Sequence, residues 1–161
     1  GTVKTTADVL KLIDAIVPKD QVFEDAFAVA RVPKARLARY YLRALDKHAL
    51  GQQEPELVPN ADEDEVNLEH VLPKSAAPAD WGAFTDDERK DLLWRLGNLA
   101  LLAKGPNGKI GSKPFAAKKP ILSASKLPSA QRAANAADWN PAAIQAAQVE
   151  MAKLAVKVWP R

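Results

Sequence analysis

The period of the apolar positions changes twice along the chain. Up to residue 51 it is helical. In "TADVLKLIDAIV" the residues Val9, Leu10, Leu12, Ile13 and Ile16 recur near helical spacing and predict a first helix. Asp20 is placed to cap a second helix through "VFEDAFAVA". "PKARLARYYLRALDKHAL" predicts a third helix with Pro33 in its first turn. Leu37, Tyr40, Tyr41, Ala44 and Leu45 form its apolar stripe, and Gly51 stops it. "GQQEPELVPNADEDE" is a polar, proline-bearing connection. The pattern then shortens to that of a strand in "VNLEHVL", which ends on Pro73. A loop, "PKSAAPADWGAF", leads to a helix that opens at Thr85, with Glu88 at capping-box spacing and Leu92, Leu93 and Leu96 on its apolar side. Gly97 ends that helix and "NLALLA" follows as a second strand. A glycine-rich turn, "KGPNGKIG", precedes a short basic helix around "PFAAKKPILS". The tail returns to the helical period. Asn140 caps it, Pro141 takes its first position, and Ile144, Ala147, Met151, Leu154, Ala155 and Val158 share one face.

Composition narrows the classes. At 161 residues the chain is one domain by length, large enough for a real core. It begins with Gly1 and not Met, so it is read as a fragment of a larger protein. The absence of cysteine excludes disulfides, thiolate metal sites and cysteine nucleophiles. No apolar run approaches the roughly 18–20 residues of a membrane span, and no signal pattern opens the chain. A soluble, cytoplasmic protein with no membrane partner is expected. Trp81, Trp94, Trp139 and Trp159 read as core anchors.

The net charge of +3 is mild, but its distribution is not even. "EPELVPNADEDEVNLE" is strongly acidic. A later stretch carries Lys104, Lys109, Lys113, Lys118, Lys119 and Lys126 with no acid among them. Such a run is either a solvated face or a phosphate-binding surface, and the residues alone leave both open. Within it, Lys118 falls three residues after Phe115 and is expected to turn inward with that ring. Lys119 is expected to be freer.

Reactive side chains concentrate in the middle. Glu69 and His70 are consecutive on a strand, Asn98 opens the next strand, and Asn107 lies on the turn beyond. No Ser–His–Asp set is credible, because His48 and His70 are the two histidines and His48 sits in a polar helix end. "GPNGKIG" lacks the spacing and the terminal Lys-Ser/Thr of a phosphate-cradling loop. Successive strand residues face opposite ways, so Glu69 and His70 can serve different partners. Neutral imidazole accepts a proton near pH 7, and a carboxylate with an amide oxygen suits a hard divalent cation.

The stretch "VNLEHVLPKS…W…LLWRLGNLALLAKGPNGKIGSKPFAAKKPILSAS…WNPAAI…LAVKVWP" resembles the C-terminal nuclease domain of GmrSD-type modification-dependent restriction endonucleases, a branch of the HNH, or His-Me finger, nucleases. The resemblance implies an α+β, mostly helical fold. Its ββα-metal core would be a two-stranded ribbon embedded in flanking helices. It divides the single domain of residues 1–161 into a helical lead-in (1–56), the core (57–125) and a C-terminal helical cover (126–161). It implies a metal-dependent DNA endonuclease from a restriction or phage-defence protein. His70 would be the general base and Asn98 the residue that orients it. Glu69 and Asn107 would hold the metal, Mg²⁺ or Mn²⁺. Lys109, Ser112, Lys113, Lys118 and Lys119 would contact DNA phosphates. Ser112 stands near the place where the family often has a second asparagine. The implied partners are DNA, with or without modified bases, and an N-terminal nucleotide-hydrolysing domain outside this chain. Two other readings stand beside it. One is a catalytically weak or inactive HNH-like module that binds DNA or protein. The other is an all-helical interaction domain with "NLALL" inside a helix.

Overall fold

The computed structural model describes residues 5–51 and 66–160. The acidic connection before the first strand lies outside the described residues. Three helices come first: α1 (Thr6–Ile16), α2 (Asp20–Phe27) and α3 (Ala35–Ala49). The strand β1 (Val66–His70) follows, then α4 (Asp86–Leu92), a single 3-10 turn (Leu96–Asn98) and β2 (Leu99–Ala103). Four helices complete the chain: α5 (Lys104–Ile110), α6 (Phe115–Ser123), α7 (Pro128–Asn135) and α8 (Pro141–Val158).

Where capping chemistry is written in the sequence, the helix ends agree with it. Thr85 accepts a hydrogen bond from the Glu88 amide, and the Glu88 carboxylate accepts one from the Thr85 amide at 2.8 Å. Asn140 accepts from the Ala143 amide, with Pro141 opening α8. Asp20 departs from its expected capping role. Lys19 occupies the cap without a side-chain bond, and Asp20 sits in the first turn, where its charge faces the positive helix end. Pro33 lies before the α3 cap, Lys34, and not inside the helix. Gly51 follows α3 at φ +70, the left-handed region in which glycine carries no steric penalty.

β1 and β2 pair antiparallel, from Val66 opposite Ala103 to His70 opposite Leu99. The ribbon lies between two apolar clusters. On one face Leu99 and Leu101 meet Leu42 and Leu45 of α3 and Met151 and Ala155 of α8. On the other, Ala100 and Leu102 meet Ile110, Phe115, Leu122 and Trp139. A ribbon buried on both faces explains why "LALL" reads as a continuous apolar run and not as an alternation. The strand through 99–103 rules out the all-helical reading.

Several expectations move. "KGPNGKI" is a helical turn, α5, and not an irregular glycine turn. The α4 helix stops at Leu92, so Leu96 and Gly97 belong to the 3-10 turn. Gly97 is needed for close approach, because a Cβ there would collide with the Ile144 carbonyl of α8. Its amide donates to Gln148, whose amide nitrogen donates in turn to the Phe27 carbonyl at 2.6 Å. The buried side of α3 is Ala38, Leu42 and Leu45, while Leu37 and Tyr40 are exposed. In α1 the apolar residues Val9, Leu12, Ile13 and Ile16 are exposed. Trp81 and Trp139 are core anchors. Trp159 is half-buried in a ring cluster with Phe23, Phe27, Tyr40 and Tyr41. Trp94 is half-buried too, against His70 and Lys74.

Candidate functional site

Strand alternation and the β1–β2 register send Glu69 and His70 to opposite faces of the ribbon. Glu69 turns toward α6, where Lys118 Nζ donates to its Oε1 at 2.6 Å. The same ammonium donates to the His70 carbonyl at 2.9 Å. Lys118 is 0% exposed and Glu69 7%. Burial pushes the Glu69 carboxyl up and the Lys118 ammonium down, and each charge holds the other back from neutrality. Lys118 thus turns inward as helical phase requires. As placed it is a brace for the carboxylate and the strand end, and not the surface phosphate contact expected of it.

His70 turns the other way, against Trp94. The two rings meet nearly edge to face, with centroids 4.9 Å apart and planes at 84°. Its pKa is pushed down to about 4, first by burial and then by the Lys74 and Lys118 charges. The ring is therefore neutral at pH 7. Its Nε2 is buried and has no hydrogen-bond partner among the described residues. A buried imidazole nitrogen of this kind is either a liability of the fold or a working group.

Asn98 is 0% exposed and fully engaged. Its Oδ1 accepts from the Leu72 amide at 2.8 Å and from Trp139 Nε1 at 3.1 Å. Its Nδ2 donates to the Leu72 and Leu93 carbonyls, both at 3.1 Å. The Asn98 carbonyl accepts from the Val71 amide at 3.0 Å. Asn98 therefore fixes the two residues after His70 and the residue before Trp94. Its hold on the His70 end of the strand runs through the backbone.

Asn107 lies on α5, which packs against both strands. Its Oδ1 is buried and accepts no hydrogen bond from the described residues. Among the described residues no group of three or more His, Cys, Asp or Glu gathers as a metal cluster. An amide oxygen without a donor, next to the strand that carries a buried carboxylate, still fits a hard cation that takes few protein ligands and keeps water for the rest. Lys109 in the last turn of α5 and Ser112 and Lys113 between α5 and α6 are exposed. Lys119 is partly buried and donates to the Ala136 carbonyl at 2.7 Å, so it is tethered and not free.

The chain matches the model of the C-terminal domain of GmrSD restriction endonucleases over residues 17–154. It belongs to that family. A comparison with curated proteins found no match. The order β1, β2, α5 is the ββα arrangement of an HNH-like nuclease core, with Glu69 and His70 on the first strand and Asn107 on the helix. The GmrSD-type domain is a nuclease of a phage-defence restriction system, and membership implies a metal-dependent mechanism and supports DNA as substrate. No helix among the described residues is long and apolar enough to cross a membrane. Sequence reasoning missed two features of the site. Trp94, which reads as a core anchor, packs on His70, and Lys74 has no motif that marks it. The one signal available was the closeness of Lys74 to His70 in "EHVLPK".

Proposed function

We propose that this domain hydrolyses DNA phosphodiester bonds with His70 as general base and a divalent cation, Mg²⁺ or Mn²⁺, held by Glu69 and Asn107. The observation that carries the reading is the pair of buried atoms without a hydrogen-bond partner among the described residues, His70 Nε2 on the strand that carries Glu69 and Asn107 Oδ1 on the helix packed against it. A neutral imidazole accepts the proton of the attacking water, and the depressed pKa keeps it in that form. When bound, the cation supplies Lewis-acid stabilisation of charge on the phosphate and the leaving 3′-oxygen. Lys118 holds Glu69 through one oxygen and fixes the His70 carbonyl, so the base and the carboxylate share one brace. Asn98 keeps the strand end in place through Leu72. Lys109, Ser112 and Lys113 grip phosphates along the strand. A partner domain that hydrolyses nucleotides and a preference for modified bases accompany this reading.

The test is nicking of supercoiled plasmid, with and without EDTA, on unmodified and base-modified DNA. EDTA-sensitive nicking is expected. Metal-independent nicking, or none on either DNA, counts against it.

A further inference from the structure

We infer that Lys74 is a phosphate-contacting residue of the cleavage site, held beside His70 by the indole of Trp94. The inference rests on the nuclease reading above and names a residue that reading does not use.

The geometry has three parts. Lys74 Nζ stands 4.7 Å from the centroid of the Trp94 ring, within cation–π range, and its side chain is exposed. The same indole receives the His70 ring at 4.9 Å. One rigid plane therefore sets the spacing between an exposed cation and an imidazole whose Nε2 has no partner among the described residues.

Both supports of this arrangement are fixed. Trp94 lies on a pinned segment. Its carbonyl accepts from the Val32 amide at 2.8 Å, beside the bridge between Arg31 and Arg95. The preceding carbonyl, of Leu93, accepts from Asn98. Lys74 springs from Pro73, which is buried, and Asn98 clamps Leu72 just before it. A lysine on a surface tryptophan is ordinarily only good packing. Here the tryptophan is also the wall of the base, so a phosphate taken by Lys74 lies next to the reacting group. Stacking leaves the ammonium hydrogens available to an anion, which is the form in which lysine binds phosphate as a point charge.

The test compares wild type, Lys74→Gln, Lys74→Arg, Trp94→Phe and Trp94→Leu on a fluorescein-labelled duplex. Binding is followed by anisotropy across a salt series in EDTA, and single-turnover cleavage is followed with Mg²⁺. Lys74→Gln is expected to reduce the salt slope of log K by about 0.9 and the cleavage rate by roughly 10- to 100-fold. Lys74→Arg, which keeps charge and stacking, restores most of both. Trp94→Phe keeps an aromatic face and most of the slope. Trp94→Leu lowers the cleavage rate as Lys74→Gln does, and the double variant is little worse than either single one. Thermal melts separate this from loss of fold in the tryptophan variants, and the surface change Lys74→Gln decides alone if Trp94→Leu does not fold. A wild-type slope and rate in Lys74→Gln would overturn the inference. A wild-type chain that binds DNA without cutting it would sink the nuclease reading, and the Lys74→Gln slope would still decide Lys74.

Discussion

Two buried carboxylates brace the same β-ribbon, one from each face, and they do it with different chemistry. Glu69 stands on β1 and meets a full charge, Lys118, which also holds the His70 carbonyl. Asp46 projects from α3 and meets a neutral hydroxyl, Ser129, at 2.7 Å; that hydroxyl accepts from the Leu101 amide of β2 at 3.0 Å. Arg132 is a more distant countercharge for Asp46, whose pKa burial raises to about 6. The Asp46 arrangement is local bracing of a strand by a side chain. The Glu69 arrangement combines bracing with an ion pair next to the buried groups of the site. Each buried charge is expensive, so its partner decides what it can do. A hydroxyl tolerates a protonated acid. An ammonium keeps its carboxylate ionised and available to a cation.

The widest separation between the two clusters is expected in cleavage. His70→Ala should lower the rate by roughly 10²–10⁴-fold, while the melting temperature stays close to wild type. Asp46→Asn should leave the rate unchanged. A rate loss in Asp46→Asn equal to that of His70→Ala would mean that the Asp46 cluster serves the chemistry as well.

Stability should separate them next. Lys118→Met strands a buried carboxylate and is expected to cost about 3–5 kcal/mol in denaturant unfolding. Glu69→Gln combined with Lys118→Met should recover much of that loss. Asn98→Ala leaves two donors and two carbonyls without their partner and belongs in the same range, several losses of about 1–3 kcal/mol each. Asp46→Asn keeps an acceptor for Ser129 and should stay within about 1 kcal/mol. An Asn98→Ala variant as stable as wild type, but inactive, would return Asn98 to a purely chemical role.

Metal dependence should come third. Asn107→Ala or Glu69→Gln should move the half-activating Mg²⁺ or Mn²⁺ concentration upward. Isothermal titration of Mn²⁺ without DNA should weaken in parallel. Wild-type titrations in both variants would remove the ligand pair. Asp46→Asn should leave the titration in place.

How much of this was readable from the chain depends on range. Local rules placed the Thr85 and Asn140 caps, the two strands and the inward turn of Lys118, because each is settled within a few residues. The partner of Lys118 was not readable, since Glu69 lies 49 positions away and ion pairing is set by packing. Asn98 shows the same limit. Its residue type and place in the motif marked it, but its four bonds to Leu72, Leu93 and Trp139 exist only once three segments meet. Trp94 was misassigned because an apolar ring looks the same in sequence whether it faces the core or a histidine. α5 reads as a turn in the sequence because two glycines and a proline outweigh a seven-residue helix that tertiary contact stabilises.

A smaller contrast lies in pH. His70 has a folded pKa of about 4, below its unfolded 6.5, so its contribution to stability is lost as pH falls from about 6.5 to 4. Asp46 has a folded pKa of about 6, above its unfolded 3.8, so its contribution is present at low pH and lost as pH rises through about 6. Glu69, also raised, adds to the second direction. The His70 and Asp46 titrations therefore oppose each other across roughly pH 4–6, and wild type should show a shallow profile there. Asp46→Asn should steepen the rise of the melting temperature with pH, and His70→Ala should turn it into a fall. Parallel profiles in all three proteins would show that neither group titrates as its burial implies.

The smallest effect per residue belongs to the exposed lysines, and it tests where the site ends. Lys109 and Lys113 lie outside both braces, on the surface at the end of α5 and in the link to α6. If they grip phosphates, Lys109→Gln and Lys113→Gln should each reduce the salt slope of log K by about 0.9, equally on every duplex sequence. Neither should alter the melting temperature or the metal titration, because neither touches Glu69 or Asn107. Lys119 differs from them in kind. Its ammonium is tied to the Ala136 carbonyl, so Lys119→Gln should cost stability before it costs affinity. Anisotropy across a salt series, run beside thermal melts, separates the three. An unchanged slope in the Lys109→Gln, Lys113→Gln double variant would confine DNA contact to the ribbon and its loop, and leave the basic stretch as ordinary solvated surface.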